Sequence, residues 1–262
     1  MKKVLTIAGS DCSGGAGIQA DLKTFSAHGT YGMSVITSVV AENTCKVTSI
    51  HNVPINIIED QLDAVFTDIE PDAVKVGMLS NEQVIHAVAE KLKQYQVKNA
   101  VIDPVMIAKG GCALMQPEAH EALVKEMIPL SYLLTPNIPE ASEILKMDIN
   151  SIEDMKKACE LIHRLGAQNV LVKGGHFEGD PTDVLYDGTK FYCLTGKRID
   201  SKNTHGTGCT LSSAIAANLA NGLSLEQAVK QGKDYVTNAI LYTTPIGHGH
   251  GPTNHFYKWF HN

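Results

Sequence analysis

His205-Gly206-Thr207-Gly208-Cys209-Thr210 runs directly into Leu211-Ser212-Ser213-Ala214-Ile215-Ala216-Ala217, a small-residue helix pattern. Two glycines flanking a threonine ahead of a helix can aim several backbone N–H groups at one point. That point, at the positive end of the helix, is a seat for a phosphate or another anion. Cys209 falls at or near the helix start, where a thiol pKa tends to drop. The same residues also suit a tight turn entering a packed helix, with Cys209 as a small buried hydrophobe. The rest of the chain has to decide between the two.

Working outward, Val4–Ala8 reads as a buried strand that ends in the glycine-rich loop Gly9–Gly17, and helical spacing follows at Ile18, Leu22 and Phe25. This is the form of a ligand-binding βα unit, although it matches neither the dinucleotide GxGxxG pattern nor a P-loop. Apolar strand candidates recur at Val35–Val40, Ala73–Gly77, Ala100–Asp103, Tyr132–Thr135 and Val170–Lys173. Helical stripes lie between most of them, one through Val84, Ile85, Val88, Leu92 and Tyr95 and another through Ile152, Met155, Cys159 and Ile162. Strands alternating with helices predict an α/β fold with a mostly parallel sheet covered on both faces. Thr182–Leu194, with Asp187-Gly188 at its centre, predicts a β-hairpin at one edge.

With 262 residues and no linker, repeat or low-complexity tract, one domain is expected. The composition, 44% hydrophobic and 19% charged, is that of a globular chain. A net charge of −6 argues against a nucleic-acid surface or a polybasic membrane contact. Cysteines 12, 45, 112, 159, 193 and 209 show no CxxC pair or metal spacing, which suits a reduced, cytoplasmic protein. The apolar start stops at Gly9-Ser10-Asp11, too soon for a signal peptide, and no stretch approaches the roughly 18 apolar residues of a membrane span. Gly247-His248-Gly249-His250-Gly251-Pro252, with His255, lacks an acid or cysteine to complete a metal site and reads as a structural loop.

Polar groups gather where open α/β sheets place ligands, at the carboxyl ends of strands. Asp103 follows Val101-Ile102, Asn137 and Glu140 follow Leu133-Leu134, and Lys173 follows Leu171-Val172. Asp, Asn and Glu are hard oxygen ligands of the kind that hold Mg²⁺, and Lys173 can neutralise phosphate charge. Asn137-x-x-Glu140 also fits a capping box at a helix start.

These pieces form an ordered set along nearly the whole chain. They are Thr6–Asp11, Ser13–Thr24, Gly77-Met78-Leu79, Asp103-Pro104-Val105-Met106, Thr135-Pro136-Asn137 with Glu140-Ala141, Val172–His176, Thr204–Thr210 and the Gly-His-Gly-His-Gly-Pro tail. The set resembles the ribokinase superfamily and, within it, the hydroxymethylpyrimidine/phosphomethylpyrimidine kinases of thiamin biosynthesis. The resemblance implies a three-layer α/β/α sandwich with a mostly parallel central sheet and an antiparallel edge hairpin, spanning residues 1–262 as one domain and commonly paired as a homodimer. It also implies transfer of the ATP γ-phosphoryl group to 4-amino-5-hydroxymethyl-2-methylpyrimidine and then to its monophosphate.

Residue roles carried over by the resemblance are as follows. Gly206, Thr207, Gly208 and the Cys209 backbone would form an anion hole, with the Cys209 thiol as base or hydroxyl-orienting group. Most of the superfamily has aspartate at that position, and cysteine is the variant of pyrimidine kinases and some pyridoxal kinases. Asp103, Asn137 and Glu140 would organise Mg²⁺. Lys173 and Thr204 would contact ATP, with Lys233 as a further nucleotide contact or a solvated helix lysine. Gly9, Asp21, Met78 and Val105 would line the substrate pocket, while the family usually has glutamine where this chain has Glu42. A carboxylate there can accept from the 4-amino group, pair with a protonated ring or favour another ring. Alternatives are a vitamin B6 kinase and, in a different class, a cysteine hydrolase pairing Cys209 with His205.

Overall fold

The computed structural model describes residues 1–107, 111, 114–116 and 118–260. Cys112 lies outside the described residues. The chain order is β1 (Lys3–Ala8), α1 (Gly17–Ala27), β2 (Tyr31–Ile36), β3 (Ser38–Glu42), β4 (Val47–Asn52), α2 (Ile55–Asp68), β5 (Ala73–Val76), α3 (Glu82–Gln94), β6 (Ala100–Ile102) and α4 (Ala119–Ala122). After β7 (Leu133–Leu134) come α5 (Ile138–Leu145), α6 (Ile152–Arg164), β8 (Asn169–Val172), β9 (Thr182–Tyr186), β10 (Phe191–Thr195), α7 (Thr207–Ala220) and α8 (Leu225–Leu241).

Eight strands form one sheet in the order β10-β9-β8-β7-β6-β5-β1-β2. β2, β1, β5, β6, β7 and β8 are parallel, and the expected hairpin β9–β10 adds the antiparallel edge. Two hydrophobic layers follow from strand parity. Leu5, Ile7, Val74, Val76, Ile102, Leu134, Val170 and Val172 face the layer that includes residues of α2, α3 and α6. Their alternates Val4, Ala73, Val101, Leu133 and Leu171 face α7 and α8. A strand buried on both faces reads as a continuous apolar run, which is why these segments were visible in the sequence.

The stretch Val35–Val40 does not form the single strand expected of it. β2 ends at Ile36, and β3 leaves the main sheet to pair antiparallel with β4 in a separate two-stranded sheet. Burial there alternates and β4 is largely exposed, so apolar density alone does not announce it. This small sheet carries Glu42 to the ligand end of the molecule. The C-terminal loop docks on its turn, where His250 N–H donates to the Thr44 carbonyl at 2.8 Å and Gly249 N–H to Thr44 Oγ1 at 3.1 Å. The histidine-glycine run is therefore a structural loop, as expected.

Capping separates two kinds of helix. α3, α5, α6 and α8 begin at Asn81, Asn137, Ser151 and Ser224, whose side chains accept from first-turn N–H groups. α1 and α7 have no side-chain cap. Their first-turn N–H groups have no acceptor within the helix. In α1 the Ile18 N–H goes to the Gly9 carbonyl at 3.0 Å and the Ala16 N–H to Asp11 at 2.7 Å, whereas α7 has no such partner for Gly208 and Cys209 among the described residues. Along α7, Ala214, Ala216 and Ala217 are fully buried. α8 lies so close that a Cβ on Gly232 would meet Ile215 Cγ1 at 2.9 Å.

Candidate active site

The chain crosses from one half of the sheet to the other between β1 and β5, and such a switch opens a crevice beyond the strand carboxyl ends. A cleft of about 1160 Å³ lies there, lined from Gly9 and Met78 past Asp103 and Asn137 to Lys173. Val105, Glu140, Glu42, Thr204, Gly206, Thr207, Gly208, Cys209 and Lys233 also line it. Of the site residues expected from the sequence, Asp21 alone does not line it.

The two uncapped helices meet in this cleft, since Ala16 and Gly17 at the start of α1 and Gly206–Cys209 at the start of α7 all line it. Gly206 has φ +74°, and a Cβ there would overlap the Gly15 carbonyl. Only glycine turns the chain into α7 at that distance from the loop before α1. Thr207 Oγ1 folds back on the Thr204 carbonyl at 2.7 Å, and Thr210 N–H closes the first turn on Gly206 at 2.8 Å. The first-turn N–H groups of Gly208 and Cys209 are left for an anion. A Cβ on Gly208 would lie 3.5 Å from both Asp103 Oδ2 and Lys173 Nζ, so the anion turn abuts the charged rim directly.

On that rim Asp103 is buried and bound to Lys173 Nζ at 2.8 Å, Thr135 Oγ1 at 3.2 Å and Ser212 Oγ at 3.3 Å. Burial works against the Lys173 charge, but Asp103 and Glu140 outweigh it and raise its pKa. Asn137 and Glu140 form the capping box foreseen as the structural option, with Glu140 N–H on Asn137 Oδ1 at 2.9 Å and Asn137 N–H on Glu140 Oε2 at 2.7 Å. Both still face the cleft. Burial pushes the Glu140 carboxyl up to about 7, with Lys173 opposing and Asp103 adding to the rise. Once Glu140 is ionised, two buried acids face one ammonium, and the excess negative charge favours an incoming cation. Asp103 and Glu140 are oxygen donors of the right chemistry for Mg²⁺. The Asn137 carbonyl has one lone pair committed to capping.

Three expectations need correction. Asp21 is no pocket wall: it is fully buried, with Oδ2 receiving Lys75 Nζ at 2.8 Å and Thr6 Oγ1 at 2.6 Å, and Oδ1 receiving Ser213 Oγ at 2.6 Å. Lys233 is no solvated helix lysine, because it is buried and paired with Asp183 at 2.6 Å. The Cys209 thiol is not depressed by its helix. Burial pushes it up to about 11, while the Lys75 charge and a hydrogen bond from the Gly17 backbone pull the other way. Helix-terminus partial charges act over one turn, and here desolvation of the thiolate is the larger effect.

Lys75 itself escaped the sequence reading. It sits in β5 with 0% exposure, yet it reaches the cleft wall. Burial opposes its charge, but Asp21, Cys209 and Asp103 carry its pKa well above the ordinary lysine value. A lysine inside the apolar run Ala73-Val74-Lys75-Val76 was the available signal. His205 Nε2 lies 2.9 Å from Asp11 Oδ2, and the groups acting on the Cys209 thiol are Lys75, Asp21, Asp103 and the Gly17 backbone, which gives the hydrolase alternative no support.

An α/β sandwich that aims two helix N-termini and a lysine–carboxylate rim into one switch-point cleft defines a small-molecule kinase of the ribokinase-like type. The phosphomethylpyrimidine kinase family matches residues 11–254, and the chain belongs to that family. It is 48% identical over 256 residues to the hydroxymethylpyrimidine/phosphomethylpyrimidine kinase of Bacillus subtilis, covering 97% of this chain and 94% of that one. It is 53% identical over 253 residues to a bifunctional thiamine biosynthesis protein of Geobacter sulfurreducens; the match takes in 96% of this chain but 52% of that longer protein. Among solved structures, the phosphomethylpyrimidine kinase of Clostridium difficile is 50% identical with a TM-score of 0.83, over 92% of this chain and all of that one. An ADP complex of Bacillus subtilis pyridoxal kinase is 42% identical with a TM-score of 0.91, over 97% of each chain.

Proposed function

We propose that this cleft transfers the γ-phosphoryl group of ATP to the hydroxymethyl group of 4-amino-5-hydroxymethyl-2-methylpyrimidine, and then to the phosphate of the product, in thiamin biosynthesis. The observation that carries this reading is the open N-terminus of α7 beside Asp103 and Lys173, with the start of α1 on the same cleft. Phosphoryl transfer is mostly positioning and charge neutralisation, and this arrangement supplies both.

In this reading the pyrimidine lies between Met78 and Val105 at the Gly9 end, with its hydroxyl against Cys209. The nucleotide phosphates run along Lys173 and Thr204. Lys233 shapes that end through its pair with Asp183 and makes no free-cation contact. The first-turn N–H groups of Gly208 and Cys209 hold the migrating phosphoryl oxygens. Asp103 and Glu140, with Asn137 beside them, would hold Mg²⁺, which would supply neutralisation of phosphate charge. Cys209 starts as a neutral thiol, so its part is to orient the hydroxyl by accepting its hydrogen bond. The hydroxyl proton leaves late, as the new O–P bond forms, and passes to an oxygen of the transferred phosphoryl group, because a neutral thiol has no place for it. In the second transfer the acceptor is already an anion and needs no base, so the anion hole carries more of the work.

The same reading includes pairing of two copies and a cytoplasmic site of action. Among the described residues no helix is long and apolar enough to cross a membrane.

A vitamin B6 kinase is the second reading, and the observation favouring it is the high likeness to the pyridoxal kinase fold. The deciding experiment measures ADP release with the pyrimidine alcohol, its phosphate and pyridoxal, each with ATP and Mg²⁺. A preference for pyridoxal above about tenfold in kcat/KM, or ~1.4 kcal/mol of transition-state discrimination, would refute the pyrimidine assignment.

A further inference from the structure

At the ring end of the cleft, Asp11, Glu42 and His205 come together from three separate parts of the chain, with ligand atoms all within 4.8 Å of one another. The cluster has the look of a metal site, but the Asp11 carboxylate already accepts four hydrogen bonds, three of them on Oδ2, and keeps room for one more donor on Oδ1. Ser13 N–H binds Oδ1 at 2.7 Å, while Gly15 N–H at 2.9 Å, Ala16 N–H at 2.7 Å and His205 Nε2 at 2.9 Å bind Oδ2. Burial pushes the Asp11 pKa up, but these hydrogen bonds, His205 first, hold it well below the ordinary carboxylate range. Asp11 is therefore a fixed anion that also ties the start of α1 to the turn before α7.

Glu42 stands at the end of β3, half-buried, facing both this anion and the cleft. The titratable groups around it are the Asp11 carboxylate, the His205 ring and the Cys12 thiol. Cys12 binds only the Glu42 backbone, with Sγ 3.1 Å from the carbonyl and 3.4 Å from the N–H. Burial pushes the Glu42 carboxyl up to about 7, and the Asp11 charge adds to the rise while His205 opposes it. A side-chain hydrogen bond between Glu42 and Asp11 completes the arrangement. Two carboxyl groups in contact share one proton, and the one with fewer donors keeps it.

We propose that Glu42 binds substrate as a neutral carboxyl, donating its O–H to Asp11 in the free protein and presenting O–H and C=O to the edge of an aminopyrimidine. The inference rests on the pyrimidine reading above. An exocyclic amine beside a ring nitrogen is a donor next to an acceptor. A carboxylic acid is the matching acceptor and donor, and a carboxylate is not. On binding, the O–H swings from Asp11 to the ring nitrogen while the carbonyl oxygen accepts from the amine. The proton remains in the complex, on Glu42 or on the ring. Below about 7, where Glu42 already holds it, binding takes up no proton. Above that value one proton is taken up for each ring bound, and affinity falls toward about tenfold per pH unit. Asp11 sets this threshold without touching the ring.

The test is equilibrium binding of the pyrimidine alcohol from pH 6 to 9, without ATP or metal so that Glu140 and the phosphates play no part. It compares wild type, Glu42→Gln and Glu42→Ala, with proton uptake read by calorimetry in two buffers of different ionisation enthalpy. Expected are a wild-type Kd that is flat below about 7 and rises steeply above it, and uptake approaching one proton at pH 9. Glu42→Gln, whose amide offers the same edge at every pH, should bind without pH dependence or uptake, and Glu42→Ala weakly throughout. Tight wild-type binding that is as flat as that of Glu42→Gln would overturn this inference and leave the pyrimidine reading standing. Binding of pyridoxal in place of the pyrimidine at every pH would overturn both.

Discussion

Replacing Glu140 by glutamine separates the capping role of this residue from its charge. Glutamine can still accept from Asn137 N–H and donate its own backbone N–H to Asn137 Oδ1, so the start of α5 survives. What disappears is the cost of ionising a buried acid near Asp103. The folded-state pKa stands at about 7 against an ordinary 4.5. That gap corresponds to about 3 kcal/mol at full development. The sign follows from linkage: a raised pKa means the folded state holds its proton while the unfolded state has lost it, so stability is lost as pH rises. Wild type and Glu140→Gln should therefore be equally stable near pH 4.5. The variant should then gain steadily, leading by about 3 kcal/mol from pH 7 upward. Urea unfolding at half-unit pH steps measures this directly, and phosphoryl transfer by the variant should fall despite its greater stability. Parallel stability curves from pH 4.5 to 8 would refute the account of Glu140 as a strained acid at a cation seat.

Cys209→Ala should slow the first phosphorylation by about 10²-fold, as for loss of a group that positions the hydroxyl, with ATP affinity little changed; a wild-type rate would remove Cys209 from the mechanism. Lys75→Met leaves Asp21 a buried carboxylate without its cation and should cost about 3–5 kcal/mol in thermal or urea unfolding, most of it recovered by adding Asp21→Asn. In both backgrounds alkylation of Cys209 at pH 9, followed by peptide mass spectrometry, should be slower than in wild type because the thiol has lost its stabilising charge. Gly206→Ala forces a side chain into a left-handed backbone, at about 1–2 kcal/mol, and against the Gly15 carbonyl. It should weaken binding of the non-transferring ATP analogue AMP-PCP while leaving the far-ultraviolet circular dichroism spectrum unchanged, and unaltered AMP-PCP affinity would show that the turn is not an anion seat.

The layered fold was legible because its strands are buried on both faces and its helices on one, so the change of period marks each boundary. The hairpin was legible through Asp187-Gly188. β3 and β4 were not, because a half-exposed two-stranded ribbon has neither an apolar run nor a tight-turn signature. In the site, Asp103, Lys173 and the glycines of the α7 turn stood out because each follows an apolar run at a strand end or opens a helix. Asp21 and Lys233 were misplaced for a common reason. Each is a charged residue on a helix whose partner, Lys75 in one case and Asp183 in the other, comes from a distant strand, and sequence spacing carries no trace of such pairs. The Cys209 thiol was misjudged because burial depends on the whole assembly, whereas the helix-end effect is local.

The Thr44–His250 and His205–Pro252 contacts give the ring end of the cleft a particular place in time during synthesis. Residues 3–52, which supply β1, α1, β2 and the small sheet, emerge from the ribosome early. The turn that completes the anion seat follows some 150 residues later, and the loop that braces it later still. A nascent chain can thus build most of its sheet while Asp11 still lacks the His205 ring and Glu42 still lacks its neighbour across the cleft. Ligand recognition then arrives last, as a single late event, once residue 252 is free to close the circuit.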